Sequence, residues 1–155
     1  MSKRVLVPID GSEQSDVALD HALKEFSEDD ITVLHVIDPA DAGYNAPVGI
    51  PGGSEEWYEA AREDARILFD EAQSVADEYG VTLDTATDAG RPAGTIVEYA
   101  EDEGFDHIVM GSHGRSGVRR ALLGSITERV LRTTRRPVLV VDARADSVDS
   151  GERSD

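Results

Sequence analysis

Apolar residues recur along this chain in two alternating rhythms. Short β-branched runs at residues 3–10 (KRVLVPID), 31–38 (ITVLHVID), 106–111 (DHIVMG) and 136–142 (RPVLVVD) predict strands. The second run is apolar on both faces, as befits a strand covered by helices on both sides. A further run at 81–88, VTLDTATD, alternates apolar with polar residues and predicts an edge strand. The intervening segments repeat at helical spacing. Residues 12–26 place Val17, Ala18, Ala22, Leu23 and Phe26 on one face, with Ser12 as the cap. Residues 54–80 do the same with Ala61, Ala65, Leu68, Ala72, Val75 and Tyr79, capped by Ser54 and ended by Gly80. Shorter helices are predicted over 91–104, with Pro92 near the start, and over 125–134.

Strand and helix therefore alternate throughout. That order predicts an α/β fold: a five-stranded parallel sheet with helices on both faces, joined by right-handed crossovers. In such sheets ligands sit outside the carboxyl ends of the strands, near the reversal in strand order. Residues 38–53 carry three prolines and four glycines and are expected to form a long loop without regular structure. Residues 143–155, rich in Ser and acids, predict a disordered acidic tail after a domain spanning 1–142.

Composition changes this picture in three ways. At 155 residues the chain is long enough for one domain with a core of its own. It has no cysteine, which excludes disulfides, thiolate metal centres and a thiol nucleophile. No apolar run approaches bilayer length, and the N-terminal one is too short for a signal peptide, so a soluble cytoplasmic protein is expected. The charge is more distinctive: 32 acids stand against 15 basic residues, of which only Lys3 and Lys24 are lysine. The acids are spread along the chain rather than blocked. This argues for a halophilic source more than for a basic partner, because at 1 M salt the Debye length falls to about 3 Å and self-repulsion is screened.

Against that background, one stretch stands out. Gly111, Gly114 and Gly117 come three apart, and Gly124 follows just before a predicted helix. Seven arginines, Arg115, Arg119, Arg120, Arg129, Arg132, Arg135 and Arg136, lie between 111 and 137 against a single acid, Glu128. Glycines let successive amide groups turn toward one anion, and a helix N-terminus adds its dipole. The combination suits a polyphosphate. It is neither a Walker loop nor G-x-G-x-x-G. The same residues also read as an ordinary loop and cap, since SITE (125–128) spells a capping box that would occupy Ser125 and Glu128 locally. His113 and His35 read more simply as loop and packed residues than as catalysts, and Trp57 as a packing residue. Arg135 and Arg136 suit the C-terminal dipole of the helix before them.

Gly111-x-x-Gly114, nine residues, then Gly124-Ser125 resembles G-2x-G-9x-G-(S/T), the ATP-binding motif of the universal stress protein (UspA) family. VLVPIDGS, LHVID, DHIVMGSHGRSG and RPVLVV resemble it too, in order, over residues 3 to about 142. The resemblance implies a three-layer Rossmann-like fold of the adenine nucleotide alpha hydrolase-like type, with strand order 3-2-1-4-5. It implies ATP as ligand, with Pro8, Asp10 and Val36 at the adenine and nearby ribose, and Met110 and Gly111 on the ribose side. Gly114, Gly124, Ser125 and Ile126 would hold the phosphates; Arg115 is added on its position next to Gly114, where a guanidinium can reach them. Mg2+ or Mn2+ would arrive mainly on the phosphates, with no protein metal ligand.

Three functions follow from this reading. The first is a nucleotide-responsive regulator in a stress response, with slow hydrolysis at most because no general base or nucleophile stands out beside the phosphates. The second is an ATP hydrolase or nucleotidyl transferase using His113 or Asp10. The third is a nucleotide-free interaction module. The resemblance also implies a homodimer through strand 137–141, whose apolar edge would otherwise stay unpaired. Nucleic-acid binding is disfavoured, because the basic stretch is short and the rest of the chain strongly negative. The charge reading is testable: melts followed by circular dichroism should gain cooperativity and Tm from dilute buffer to multimolar KCl. A melt equally cooperative at low salt would remove salt adaptation.

Overall fold

The computed structural model of the chain describes residues 2–43, 54–112 and 123–142. Five strands and four α-helices alternate: β1 (Arg4–Pro8), α1 (Glu13–Glu25), β2 (Asp30–Ile37), α2 (Glu55–Asp77), β3 (Asp84–Ala89), α3 (Pro92–Asp102), β4 (His107–Gly111), α4 (Ser125–Thr133) and β5 (Val138–Val141). All the strand pairs are parallel and the order is β3-β2-β1-β4-β5. The parallel sheet is what the alternating pattern predicts, and its Rossmann-like strand order is the one the family resemblance implies.

Side-chain alternation along the strands divides the interior into two layers. Val5, Val7, Ile31, Val33 and Val109 face α1 and α2, where Leu19, Leu23, Ala72 and Ala76 meet them. Leu6, Leu34, Ile108 and Met110 face α3 and α4, against Ile96, Ala100, Phe105 and Val130. Val5, Leu6 and Val7 in the central strand have no solvent exposure. That is why this run reads as continuously apolar rather than alternating.

The helix starts follow from their caps. Ser12 accepts from the Ser15 amide, and Ser54 from the Trp57 amide at 3.1 Å, each satisfying an otherwise orphaned donor. Pro92 occupies the first turn of α3, where its missing N–H costs nothing. Trp57 is core, as expected: it joins Ile37 and Ala42 in a small third cluster.

Two expectations are corrected. The Pro- and Gly-rich segment after β2 is not wholly irregular, since Pro39–Gly43 form a 3-10 turn. Proline suits the first position of such a turn, and Asp38 fastens it by accepting from the amides of Ala40 and Asp41. The third strand, predicted over 81–88, also begins later than its pattern suggests. Val81 and Leu83 are buried ahead of it, whereas β3 itself is almost wholly exposed. The Leu83 amide donates to the Gln73 side chain on α2 instead of to a neighbouring strand.

The acidic surface has a local cost. Crowding by surrounding protein raises the Asp16 carboxyl above its ordinary 3.8, although the side chain keeps contact with solvent. The carboxylates of Glu71, Asp10 and Glu13 push the same way. Since its folded-state pKa lies above the unfolded one, the stability it contributes is complete only below about pH 3.8 and is lost as pH rises through the folded pKa. The dipole at the α1 N-terminus opposes this shift. A carbon-detected NMR titration should place Asp16 above 3.8 in dilute buffer and closer to it in molar salt. A value at or below 3.8 in dilute buffer would mean that the dipole outweighs the crowding.

Candidate functional site

The strand order reverses between β1 and β4. The helix after β1 packs on one face of the sheet and the helix after β4 on the other. At that reversal, beyond the carboxyl ends of β1, β2 and β4, lies a cleft of about 240 Å³. Its walls include Pro8, Asp10, Val36, Met110, Gly111, Gly124, Ser125 and Ile126, so eight of the ten residues expected at the site meet there. The other two, Gly114 and Arg115, fall outside the described residues, as do His113, Arg119 and Arg120.

One wall is built from the turn after β1. The Ile9 amide donates to the Leu34 carbonyl at 2.8 Å, carrying the sheet pairing one residue further. The chain then reverses through Gly11, whose φ of +82° suits glycine. Asp10 braces the turn by accepting from the Ser12 amide at 2.9 Å, and Ser15 donates its hydroxyl to the Ser12 carbonyl. Asp10 is thus both a turn residue and a wall of the cleft. His35 Nδ1 lies 2.9 Å from the Ile9 carbonyl, which requires the proton on that nitrogen.

The opposite wall is the start of α4. Gly124 is its N-cap and Ser125 its first helical residue, and no side chain caps it. The capping box that the sequence allows does not form. Glu128 pairs instead with Arg132, at 2.8 Å. The i, i+4 spacing brings that pair together on the helix surface. Among the described residues, then, no side chain caps the first amide groups of α4, and the helix dipole makes this end attractive to an anion. Two contacts hold this end against β4: the Gly124 amide donates to the Ser112 carbonyl at 2.8 Å, and the Thr127 hydroxyl to the Gly111 carbonyl at 2.9 Å.

Gly111 has a packing role as well as a place in the wall. A Cβ there would stand 2.6 Å from the Gln14 carbonyl oxygen, so only glycine lets β4 pass this close to α1.

Several wall residues were not foreseen. Asp38 and Asp41 add carboxylates, while Leu34, Pro92 and Ile96 add an apolar side. Asp41 was hidden because its segment reads as structureless. Pro92 was within reach, because a helix that follows a parallel strand starts at the ligand-binding edge. His35, read as simply packed, is half-buried and lines the cleft. The four described arginines of the basic stretch do not line it. Arg132 is committed to Glu128, and Arg135 and Arg136 follow the C-terminus of α4, away from the cleft. Among the described residues, no group of three His, Asp or Glu could hold a metal ion, and no helix is long and apolar enough to cross a membrane.

Comparison with known proteins bears directly on this architecture. Residues 1–142 match the universal stress protein family (Usp). Universal stress protein MJ0531 of Methanocaldococcus jannaschii is 38% identical over 90% of this chain and 81% of its own length. Universal stress protein MJ0577 of the same organism is 34% identical over 91% of this chain and 95% of its own. The solved structure of MJ0577 superposes with a TM-score of 0.75, over 92% of this chain and 96% of that one. A universal stress protein solved in complex with cAMP superposes with a TM-score of 0.62 at 26% identity, over 91% of this chain and 97% of that one. With fold, strand order and sequence in agreement over nearly its whole length, the chain belongs to the universal stress protein family.

Proposed function

We propose that this chain binds ATP in the cleft at the β1/β4 reversal and acts as a nucleotide-responsive regulator in a stress response. The observation that carries this reading is the N-terminus of α4, which no side chain among the described residues caps and which faces the same cleft as the ends of β1 and β2. The cleft is polar in a directed way. Its β1 and β2 side has apolar residues, Leu34 and Val36, beside the carboxylates of Asp10, Asp38 and Asp41. Its α4 side offers amide donors. A nucleoside suits the first and phosphates suit the second, since carboxylates accept from ribose hydroxyls and the base amino group but repel phosphate.

On this reading Pro8, Asp10 and Val36 take the adenine and nearby ribose, with Met110 and Gly111 beside the ribose. Gly124, Ser125 and Ile126 take the phosphates, together with Gly114, which the family resemblance implies, and its neighbour Arg115. Magnesium or manganese would come with the phosphates. The cAMP complex of a universal stress protein supports an adenine nucleotide as the ligand class.

Calorimetry in multimolar KCl with magnesium tests the reading. ATP should saturate the native chain, and Ser125→Ala should weaken it about tenfold by removing one hydroxyl bond to a charged group. A folded native chain that takes up no ATP at millimolar concentration would overturn it.

The regulator would act as a homodimer through residues 137–141. β5 is an edge strand with a single neighbour, β4, and Leu139 on it is 39% exposed. An apolar edge of this kind is a liability unless paired. In sedimentation equilibrium the native chain should run as a dimer and Leu139→Lys as a monomer. A native monomer across the micromolar range would discard the dimer while leaving the ATP site standing.

A further inference from the structure

We propose that Thr127 is a positioning residue for the phosphate end of this cleft, an inference that rests on the nucleotide reading above. Thr127 is the third residue of α4 and only 3% exposed. A threonine within a helix ordinarily turns its hydroxyl onto the carbonyl three or four residues earlier. Thr127 instead reaches sixteen residues back along the chain, to the carbonyl of Gly111, at 2.9 Å.

The two ends of that bond are the two parts of the wall that must stay in register. Gly111 is the last residue of β4 and Thr127 lies in the first turn of α4. Between them the chain leaves the sheet at Ser112 and rejoins the described structure at Leu123. The Gly124 amide to Ser112 carbonyl bond closes this excursion at its neck through the main chain, and the Thr127 bond closes it through a side chain. Ser112 is held on its far side as well, because its amide donates to the Val141 carbonyl of β5.

Val130, further along α4, seats the helix on the sheet. Two bonds across the neck, separated along the helix by most of a turn, hold its first turn more firmly than one would. The amide groups at the start of α4 then keep a fixed distance and direction from the end of β4. A phosphate gripped by these amides gains affinity from such preorganisation, because no ordering cost remains at binding. The nucleoside side of the cleft, built on β1 and β2, does not depend on this clamp.

That separation makes the inference testable. Adenosine and ATP with magnesium are titrated calorimetrically into the native chain, Thr127→Val and Thr127→Ser. Amide hydrogen exchange at Gly124 is measured in the ligand-free proteins. Valine keeps the shape but leaves the buried Gly111 carbonyl unpaired. Thr127→Val should bind adenosine as the native chain does, bind ATP about tenfold more weakly, and exchange the Gly124 amide faster. Thr127→Ser should restore all three values.

Equal loss of adenosine and ATP would overturn the proposal by making Thr127 a general packing residue. Unchanged ATP binding in Thr127→Val would overturn it too, as would a loss of ATP with Gly124 exchange unchanged, which marks direct contact with the ligand. If Thr127→Val does not fold, Thr127→Ala leaves room for water at the carbonyl and carries the same comparison. A native chain that binds neither ligand defeats the nucleotide reading itself. Native binding with an indifferent Thr127→Val defeats only the present inference.

Discussion

The central strand, buried on both faces and flanked by β2 and β4, sets the geometry of everything else. Because every pairing is parallel, all the strands point their carboxyl ends to one edge of the sheet. Right-handed crossovers then force the helices after β1 and after β4 to opposite faces, since those strands lead the chain in opposite directions across the sheet. Two helices that diverge from adjacent strands cannot fill the space between their own starts. The cleft is that unfilled space, and its position follows from topology before any side chain is chosen.

Much of this was legible in the sequence. Element order, parallel pairing and the caps at Ser12 and Ser54 followed from periodicity and from the chemistry of orphaned amides. Family resemblance supplied the strand order. Asp10 and Gly111 were legible at their strand ends for the same topological reason, whereas Val36 and Met110 came from the resemblance. What stayed hidden was governed by competition between local and distant partners. SITE has the residues of a capping box, yet Glu128 turns to Arg132 and Gly124 takes the cap position. Asp38 and Asp41 could not be placed, because proline and glycine mark where regular structure stops but not how a short turn folds back. Thr127 reads as one more small helical residue; its partner lies sixteen positions earlier, and no local pattern encodes such a distance.

The charge of the molecule and the character of its site pull in different directions. A net charge of −17 repels a polyphosphate at long range. On the proposed reading, the amide groups of α4 would act at contact range as donors without carrying net charge, and they would remain in place when salt screens the surface. A site built on backbone donors and a helix terminus therefore tolerates concentrated salt better than one built on exposed lysine ammonium groups. This fits a chain with two lysines and a cleft whose described wall holds no arginine, with Arg115, outside the described residues, as the one cationic side chain proposed beside the amides.

Trp57 is the only tryptophan in the chain, and it packs edge-on against Tyr58 at 4.9 Å between ring centres. Its neighbours include Ile37 and Ala42, which follow directly after Val36 and Asp41, two residues of the cleft wall. The whole indole fluorescence of the molecule thus originates from one buried point, a single residue behind that wall. The protein carries its own optical gauge of how β2 joins the turn after it, and nothing need be attached to read it.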